Sequence, residues 1–180
     1  MRTQRIHITG ASGAGSTTLA RAVATALGCP CHDSDDYFHR PSDPPYQTRR
    51  PLDERLRLME AIFLPLPKWV LSGGGIGWGT IDRLFDLVVF LYVPAPARLE
   101  RLRVREARHF GAEALAPGGG RHAEFEAFLD WAAHYDDGTR EGRSSANQLA
   151  ALEKLTCPVL RLEGERPIAE WVEAVVAAAA

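Results

Sequence analysis

The chain has 180 residues and a formal net charge of −2, and 46% of its residues are hydrophobic and 24% charged. This length and composition suit one soluble globular domain with a sizeable core, and the charge gives no support for nucleic acid or an anionic membrane as a partner. No apolar stretch has the length of a signal-peptide core or of a membrane span, so the cytoplasm is the expected location.

Short apolar runs alternate with helical patterns along the chain, which predicts an α/β fold with a parallel sheet covered on both faces. The predicted strands are residues 5–9, 29–32, 69–71, 87–93 and 159–162. Apolar spacing predicts helices over residues 17–27, 52–63, 97–109 and from 168 towards the Ala-rich end. Residues 111–143 are rich in glycine and charge, so we expect a long irregular excursion there. We expect one domain, 1–180, whose lid region is roughly 108–143.

A glycine-rich segment follows the first predicted strand and reads Gly10-Ala11-Ser12-Gly13-Ala14-Gly15-Ser16-Thr17-Thr18. Apart from Ser16, its spacing matches the phosphate-binding motif G-x-x-x-x-G-K-[ST]. In that motif the backbone N–H groups and the start of the next helix bind phosphate oxygens, and the Ser/Thr hydroxyl binds Mg²⁺. The segment is therefore a candidate ATP site with Thr17 as a metal ligand. The alternative is a glycine-rich turn without a ligand.

Ser16 stands where the motif has a lysine, whose charge normally lies at the β and γ phosphates of the nucleotide. Losing that charge without a replacement would cost a few kcal/mol of transition-state stabilisation. Two hypotheses follow: another cation takes its place, or the loop binds nucleotide and catalyses poorly. Arginines are plentiful elsewhere in the chain, which favours the first hypothesis.

Two further motifs accompany the loop. One is Val93-Pro94 followed by Glu100-Arg101-Leu102-x-x-Arg105, and the other runs from Arg161 through Gly164 to Pro167-Ile168. Together with the loop they resemble the adenylate-kinase and shikimate-kinase superfamily of P-loop kinases, nearly end to end. The resemblance implies a three-layer fold with a five-stranded parallel sheet in the order 2-3-1-4-5 and a lid insertion. The chain also resembles a bacterial group described as adenylate-kinase-like, in which the loop lysine is likewise absent.

The resemblance implies roles on the nucleotide side and implies ATP and Mg²⁺ as cofactors. By matching position, Arg101 packs on the adenine face and Arg105 reaches the phosphates. Gly164 and Pro167 belong to the turn whose backbone borders the adenine.

Four arginines, Arg98, Arg101, Arg105 and Arg108, fall on one face of the predicted helix. A planar, weakly hydrated guanidinium suits both base stacking and phosphate binding. A solvated charged face is the alternative for Arg101 and Arg105, and it is the favoured interpretation for Arg98 and Arg108.

On the acceptor side, the chain departs from nucleoside monophosphate kinases and resembles shikimate kinases. The third strand is followed by a glycine cluster, in which Gly73, Gly74, Gly75 and Trp78 are candidate acceptor contacts. The second strand ends in His32-Asp33-Ser34-Asp35-Asp36, similar to the family's D-x-D, whose carboxylates lie near Mg²⁺ and the acceptor hydroxyl.

Three carboxylates within four residues repel one another unless a cation or hydroxyl donors offset them. Asp35 is the first choice to orient the acceptor or hold a Mg²⁺ water, Asp33 is close behind, and Asp36 is a candidate acceptor contact. Direct and water-mediated metal binding are not separable at this point. The alternative is a helix N-cap, which is strongest for Asp36.

Arg49 and Arg50 are the candidate clamp for a phosphate or carboxylate on the acceptor, with solvation at a helix start as an equal alternative. Aromatic residues nearby either line a flat-ringed acceptor or pack under a proline-rich loop; they are Tyr37, Phe38, His39, Tyr46 and Trp78. After the lid region, Arg140 and Arg143 lie roughly where related kinases place phosphate-binding arginines. One of these, or Arg105, is the candidate substitute for the missing lysine. His122, His134 and Tyr135 belong to no motif.

The leading hypothesis is an enzyme that transfers the γ-phosphoryl group of ATP, with Mg²⁺, to a hydroxyl metabolite, a nucleoside or a nucleotide. The glycine cluster and the acidic pair favour a hydroxyl acceptor. The alternative is a non-catalytic or weakly hydrolytic nucleotide-binding protein with a degenerate loop. By analogy with small kinases we expect a monomer or weak dimer whose partner is a small molecule.

Overall fold

The computed structural model describes residues 4–42, 48–139 and 142–180. Its five strands form one parallel sheet in the order β2-β3-β1-β4-β5. The strands are β1 Gln4–Gly10, β2 Cys31–Asp33, β3 Lys68–Ser72, β4 Leu87–Tyr92 and β5 Val159–Glu163. The α-helices are α1 Ser16–Leu27, α2 Ser34–Phe38, α3 Leu52–Ile62, α4 Ala95–Phe110, α5 Ala112–Leu115, α6 His122–Ala133, α7 Ser145–Leu152 and α8 Ile168–Ala178, with a 3₁₀ helix at Gly79–Leu84. The predicted α/β class and strand order are confirmed.

The sheet separates two hydrophobic layers because successive side chains of a strand point to opposite faces. On one face Ile6 and Ile8 pack with buried residues of α1 and α8. On the other face Leu71 and Val88 pack with the aromatic residue Phe85 and with α3. Burial on both faces explains why the central strands are continuous apolar runs in the sequence. Among the described residues, no helix has the length and apolarity needed to cross a membrane.

The second strand begins two residues later than predicted and ends one residue later. The N–H of Cys29 bonds to Ala24 O at 3.0 Å, which makes Cys29 part of the end of α1. Pro30 has no N–H to give to the sheet, although its carbonyl accepts from Val70 N at 2.9 Å. Regular pairing therefore begins only at Cys31.

The prediction of an irregular excursion over residues 111–143 is wrong, because α5 and α6 lie within it. Leu129 and Ala132 of α6 pack on Leu102 of α4, which buries the apolar side of α6. The spacing of Phe125, Leu129 and Ala132 is helical, and it was obscured by the glycines that precede the helix. Tyr46 and Arg140 lie outside the described residues.

Helix α7 was not predicted, although its start carries a cap signal. The side chain of Ser144 accepts from Asn147 N at 3.2 Å, which is the N-cap geometry. The helix then places Gln148 against the end of β1, where its Nε2 donates to Thr9 Oγ1 at 2.7 Å.

Because all five strands are parallel, their carboxyl ends meet at one edge of the sheet. The glycine loop after β1, the acidic segment after β2 and the glycine cluster after β3 all begin at this edge. Ligands of open parallel α/β sheets bind at this edge. The strand order therefore brings the sequence motifs together.

Gly13 packs so closely on α4 that a side chain there would clash. Its φ is +81°, and an added Cβ would lie 2.6 Å from Arg98 O and 3.0 Å from Leu102 Cγ. Gly28 also has a positive φ of +62°, but its Cβ would meet nothing within 4 Å.

We expect Gly28→Ala to lower the free energy of unfolding by about 1–2 kcal/mol through backbone strain alone. We expect Gly13→Ala to lower the free energy of unfolding by about 1–3 kcal/mol more than Gly28→Ala does, because the added methyl group also overpacks the loop against α4. Urea unfolding of both variants measures the difference, and equal losses would show that the close approach is not a constraint.

Candidate active site

The glycine loop has the backbone geometry of an anion site. Gly13 and Gly15 have φ values of +81° and +99°, which a side-chain-bearing residue rarely adopts. No side chain caps the start of α1, and its first turn holds no acidic residue. The N–H groups and the positive end of the helix are therefore available to phosphate oxygens.

Thr17 and Asp33 meet next to the loop. Thr17 Oγ1 donates to Asp33 Oδ2 at 2.9 Å, and Asp33 Oδ1 accepts from Asp35 N at 3.1 Å. Asp33 is thus the N-cap of α2, so the cap interpretation applies to Asp33 and not to Asp36. A hydroxyl and a carboxylate are hard oxygen ligands that fit Mg²⁺ together with nucleotide phosphates and water. Among the described residues, no three His, Cys, Asp or Glu side chains converge on a metal position.

Asp35 lies in the first turn of α2 and opens into a cleft of about 530 Å³. Burial in the cleft wall, and then the negative charge of Asp33, raise the pKa of Asp35 above that of an ordinary aspartate. The charges of Arg143 and His39 act in the opposite direction. A carboxylate with a raised pKa is better matched to accepting a proton near neutral pH.

We expect Asp33→Asn to lower the pKa of Asp35, because it removes the neighbouring negative charge that disfavours ionisation. A carboxyl-carbon NMR titration measures this without any substrate. In the wild type Asp35 should ionise at a higher pH than an ordinary aspartate, and in the variant at a lower pH than in the wild type. An unchanged or raised pKa would contradict the electrostatic coupling.

Arg143 lies where the loop meets the cleft. Its Nη2 donates to Thr9 Oγ1 at 3.3 Å and to Gly73 O at 3.4 Å, at the carboxyl ends of β1 and β3. Burial lowers the pKa of Arg143, while the charges of Tyr135, Asp35 and Asp33 raise it. The guanidinium therefore contacts Thr9, the residue before the loop, and interacts electrostatically with the acidic pair.

No lysine of this chain is near the loop. The chain has two, Lys68 and Lys154. Lys68 pairs with Gln4 at the amino end of the sheet, opposite the loop. Lys154 follows α7 on the approach to the amino end of β5. Neither lysine is therefore placed to replace the missing one, which leaves the arginines as the permanently charged candidates.

The structure does not bring Arg105 to the phosphate loop. Its guanidinium pairs with the adjacent Glu106 at 2.7 Å and lies over the ring of Phe128 at 5.9 Å, and the side chain is 58% exposed. Of these two candidates for the substitute cation, Arg143 contacts Thr9 at the end of β1, and Arg105 has no contact with the described residues of the loop or of the strand before it.

Arg101 links the loop to the turn after β5. Its Nη1 donates to Ala14 O at 3.2 Å and its Nη2 to Glu165 Oε2 at 2.7 Å. Gly164 adopts φ +87° and donates to Tyr92 O, and Pro167 precedes α8. The planar guanidinium and this turn flank one region beside the loop, where the resemblance implies that the adenine binds.

The acceptor cleft, as we call the 530 Å³ cavity beside Arg143, combines several kinds of side chain. Its charged lining is Asp35, Arg49 and Arg143, and its aromatic lining is Phe38, Trp78 and Trp131. Gly74 and Gly75 form part of the wall. Gly73 packs on Ser34, which leaves no room for a side chain at that glycine.

The two adjacent candidate arginines have different positions. Arg49 lines the acceptor cleft, and its guanidinium lies 5.5 Å from the ring of Phe38. Arg50 instead binds the carbonyls of Asp36, Tyr37 and His39 and closes the end of α2. Arg50 is therefore a structural residue in this conformation, and the exposed Asp36 is not part of the cleft lining.

Arg55 stacks 3.7 Å from the ring of Phe38 and 5.4 Å from that of Trp78, next to Arg49. Burial lowers the pKa of Arg55, and the nearby charge of Arg49 adds to this effect. Among the described residues, no carboxylate forms an ion pair with either guanidinium. Within the described part of the chain, Arg49 in the cleft lining and Arg55 on its aromatic wall are thus two guanidiniums that could bind an anion.

Several site residues were missed by the sequence reasoning. Ser34 has a buried hydroxyl in the cleft wall without a hydrogen-bond partner among the described residues, and it lies between two candidate aspartates. Thr9 and Gln148 belong to no motif, but the cap at Ser144 would have predicted the helix that carries Gln148. No local sequence pattern predicts the hydrogen bond between Gln148 and Thr9.

Arg98 was expected on the solvated face of α4 with Arg108, and for Arg98 this expectation is wrong. Arg108 is exposed, but the Arg98 side chain is fully buried. It reaches carbonyl groups and a carboxylate that only the folded chain brings together.

The chain was compared with known proteins and structures. No protein-family model matches it. The uncharacterized protein YqaC of Bacillus subtilis (strain 168) is 40% identical over 174 residues, which are 96% of each chain. A shikimate kinase from Bacteroides thetaiotaomicron covers 98% of both chains with a TM-score of 0.54 and 19% identity. A gluconokinase from Sinorhizobium meliloti 1021 covers 99% of this chain and 93% of its own, with a TM-score of 0.55 and 20% identity.

The fold is that of the P-loop kinases, as the sequence motifs predicted. At these identities the solved structures establish the fold and not the substrate. Within that fold, the chain belongs to the same family as YqaC of Bacillus subtilis.

Proposed function

We propose that this protein is a Mg²⁺-dependent phosphotransferase that moves the γ-phosphoryl group of ATP to a small molecule bound in the acceptor cleft. The observation that carries the proposal is the junction at Arg143, which contacts Thr9 at the base of the phosphate loop and lines the cleft beside Asp35. A nucleotide in the loop and an acceptor in the cleft would meet at this guanidinium. That arrangement suits a transfer reaction that depends on positioning and charge.

In this reaction each group of site residues has a separate role. The amides of the loop and the start of α1 bind the phosphates, and Arg143 supports the charge that collects on the transferred group. Asp35 accepts a hydrogen bond from the acceptor hydroxyl and takes its proton as the bond to phosphorus forms. Thr17 and Asp33 would hold Mg²⁺, which neutralises phosphate charge when bound. Arg101 and the turn at Gly164 hold the base.

The lining supports an acceptor that carries a hydroxyl group and an anionic group. Asp35 and Ser34 would face the hydroxyl. Arg49 in the lining and Arg55 on Phe38, which form no ion pair with another described residue, would bind the anion. The aromatic walls at Phe38 and Trp78 favour a flat or apolar face on the same molecule. A shikimate kinase and a gluconokinase share this fold, which agrees with a hydroxyl acceptor rather than a nucleotide.

The experiment is incubation with ATP, Mg²⁺ and a panel of hydroxy acids, nucleosides and nucleotides, with ADP formation as the readout. We expect ADP to appear only with a matching acceptor. Asp35→Asn is the matched control variant, because it preserves shape and removes the base, and its turnover should fall by about 10²- to 10⁴-fold. Tight ATP binding without turnover on any member of the panel would favour the non-catalytic nucleotide-binding protein.

A further inference from the structure

Arg98 is the most completely paired buried cation among the described residues. Its side chain is 0% exposed. Nε donates to Val93 O at 2.8 Å, Nη1 donates to Ala132 O at 3.2 Å and to Ser12 O at 3.4 Å, and Nη2 pairs with Asp136 Oδ2 at 2.9 Å. Only the rigid fork of a guanidinium can serve four acceptors in these directions.

Two of these acceptors come from parts of the site that are distant in sequence. Ser12 belongs to the phosphate loop, and Ala132 lies in the last turn of α6. The backbone of Arg98 supports the loop as well, because its carbonyl lies where a side chain on Gly13 would be. The loop therefore rests on Arg98 through both its side chain and its main chain.

A chain of contacts continues from Arg98 to the acceptor cleft. The guanidinium lies 5.1 Å from the ring of Tyr135, whose hydroxyl donates to Gln148 Oε1. Burial raises the pKa of Tyr135 to about 12, so the hydroxyl keeps its proton at neutral pH. Gln148 in turn donates to Thr9 Oγ1, which also accepts from Arg143.

We propose that Arg98 is a positioning residue that fixes the conformation of the phosphate loop and, through Tyr135 and Gln148, couples it to the Thr9–Arg143 pair at the acceptor cleft. Arg98 touches no position that a phosphate would occupy. Nucleotide affinity nevertheless depends on it, because the loop amides bind phosphate only in one arrangement. The proposal about affinity rests on the proposed function; the proposal about the loop does not.

The test uses the full-length chain with Arg98→Met and Arg98→Lys, and with Arg103→Met as the matched control. Arg103 lies on the same helix and is exposed, with only a 3.9 Å contact to Glu100. Hydrogen exchange of the nucleotide-free protein is followed at residues 10–17, at residues 132–136 and in β4. We expect both Arg98 variants to exchange at least about tenfold faster at the first two segments and unchanged in β4, and the control to match the wild type.

Affinity for ATP with Mg²⁺, measured by calorimetry, is the second readout. We expect the dissociation constant to rise at least about tenfold in Arg98→Met, with little recovery in Arg98→Lys because a point charge does not replace the fork. Tyr135→Phe keeps the ring and removes the hydroxyl. It should therefore raise the dissociation constant for ATP by a smaller factor than Arg98→Met does.

Three results would overturn the proposal about Arg98: unchanged exchange in the loop, faster exchange throughout the sheet, or wild-type ATP affinity in folded Arg98→Met. If the wild type itself does not bind ATP, the proposed function fails. The exchange experiment then still decides whether Arg98 holds the loop.

Discussion

Replacing Arg143 by methionine should reduce phosphoryl transfer by about 10²- to 10³-fold, because it removes the cation beside the transferred group. ADP should bind nearly as well as to the wild type, since the described hydrogen bonds of Arg143 go to Thr9, just before the loop, and to Gly73, and Arg143 lines the cleft. Steady-state ADP formation and calorimetry with ADP separate these two effects. Arg143→Lys should recover part of the activity, because it restores a charge without the planar fork.

Two other arginines make this prediction specific. Arg103→Met removes an exposed charge from α4 and should leave turnover unchanged. Arg105→Met tests the role that the resemblance to adenylate kinases implies, and we expect less than about a twofold effect, as for an exposed ion pair. A loss of activity in Arg105→Met that equals the loss in Arg143→Met would mean that α4 reaches the phosphates after nucleotide binds.

Thr17→Val should have the second large effect, a fall of about 10²-fold in turnover at limiting Mg²⁺. The change keeps the shape of the side chain but removes the hydroxyl that bonds Asp33 and would bind the metal. Turnover measured over a range of Mg²⁺ concentrations should show a higher requirement for the metal. Thr25→Val is the matched control, because Thr25 lies on the exposed side of the same helix and bonds only Arg21 O. If the turnover of Thr17→Val and that of the wild type depend equally on the Mg²⁺ concentration, Thr17 is not a metal ligand.

The parts of the site that could be predicted from the sequence are those whose chemistry is local. The phosphate loop is one segment in which glycines, helix start and Thr17 have fixed spacing, and the strand before it is a short apolar run. The acidic segment around Asp33 and Asp35 was predicted for the same reason. The resemblance implied that Arg101 packs on the adenine face; its guanidinium contacts Ala14 O of the loop, and its role stays a prediction.

The parts that could not be predicted depend on contacts between distant segments. Arg98 and Arg108 were both assigned to the solvated face of α4, yet Arg98 is buried because α6 and the phosphate loop both close over it. The sequence left Arg105, Arg140 and Arg143 as candidate substitutes for the lysine. The contact of Arg143 with the end of β1 separates it from Arg105, and Arg140 lies outside the described residues. Tyr135 belonged to no motif because its partner Gln148 lies on a helix that was not predicted.

In the acceptor cleft, the sequence motifs predicted which residues lie nearby but not which of them face the cavity. The glycine cluster is typical of a close approach, and the structure shows the reason at Gly73, where Ser34 leaves no room for a side chain. The pair at Arg49 and Arg50 looked equivalent, but one guanidinium closes α2 and the other faces the cleft. The substrate class proposed here therefore rests on the position of Arg49 with Arg55, and not on the number of basic residues nearby.

The most direct test of the central claim, that Arg143 supplies the cation missing from the loop, is ADP formation by Ser16→Lys in the wild-type and Arg143→Met backgrounds. The account predicts that lysine at position 16 lowers wild-type turnover or leaves it unchanged, because the place is already occupied, and that it restores part of the turnover lost in Arg143→Met. A large gain in the wild-type background, together with no loss in Arg143→Met, would contradict the account.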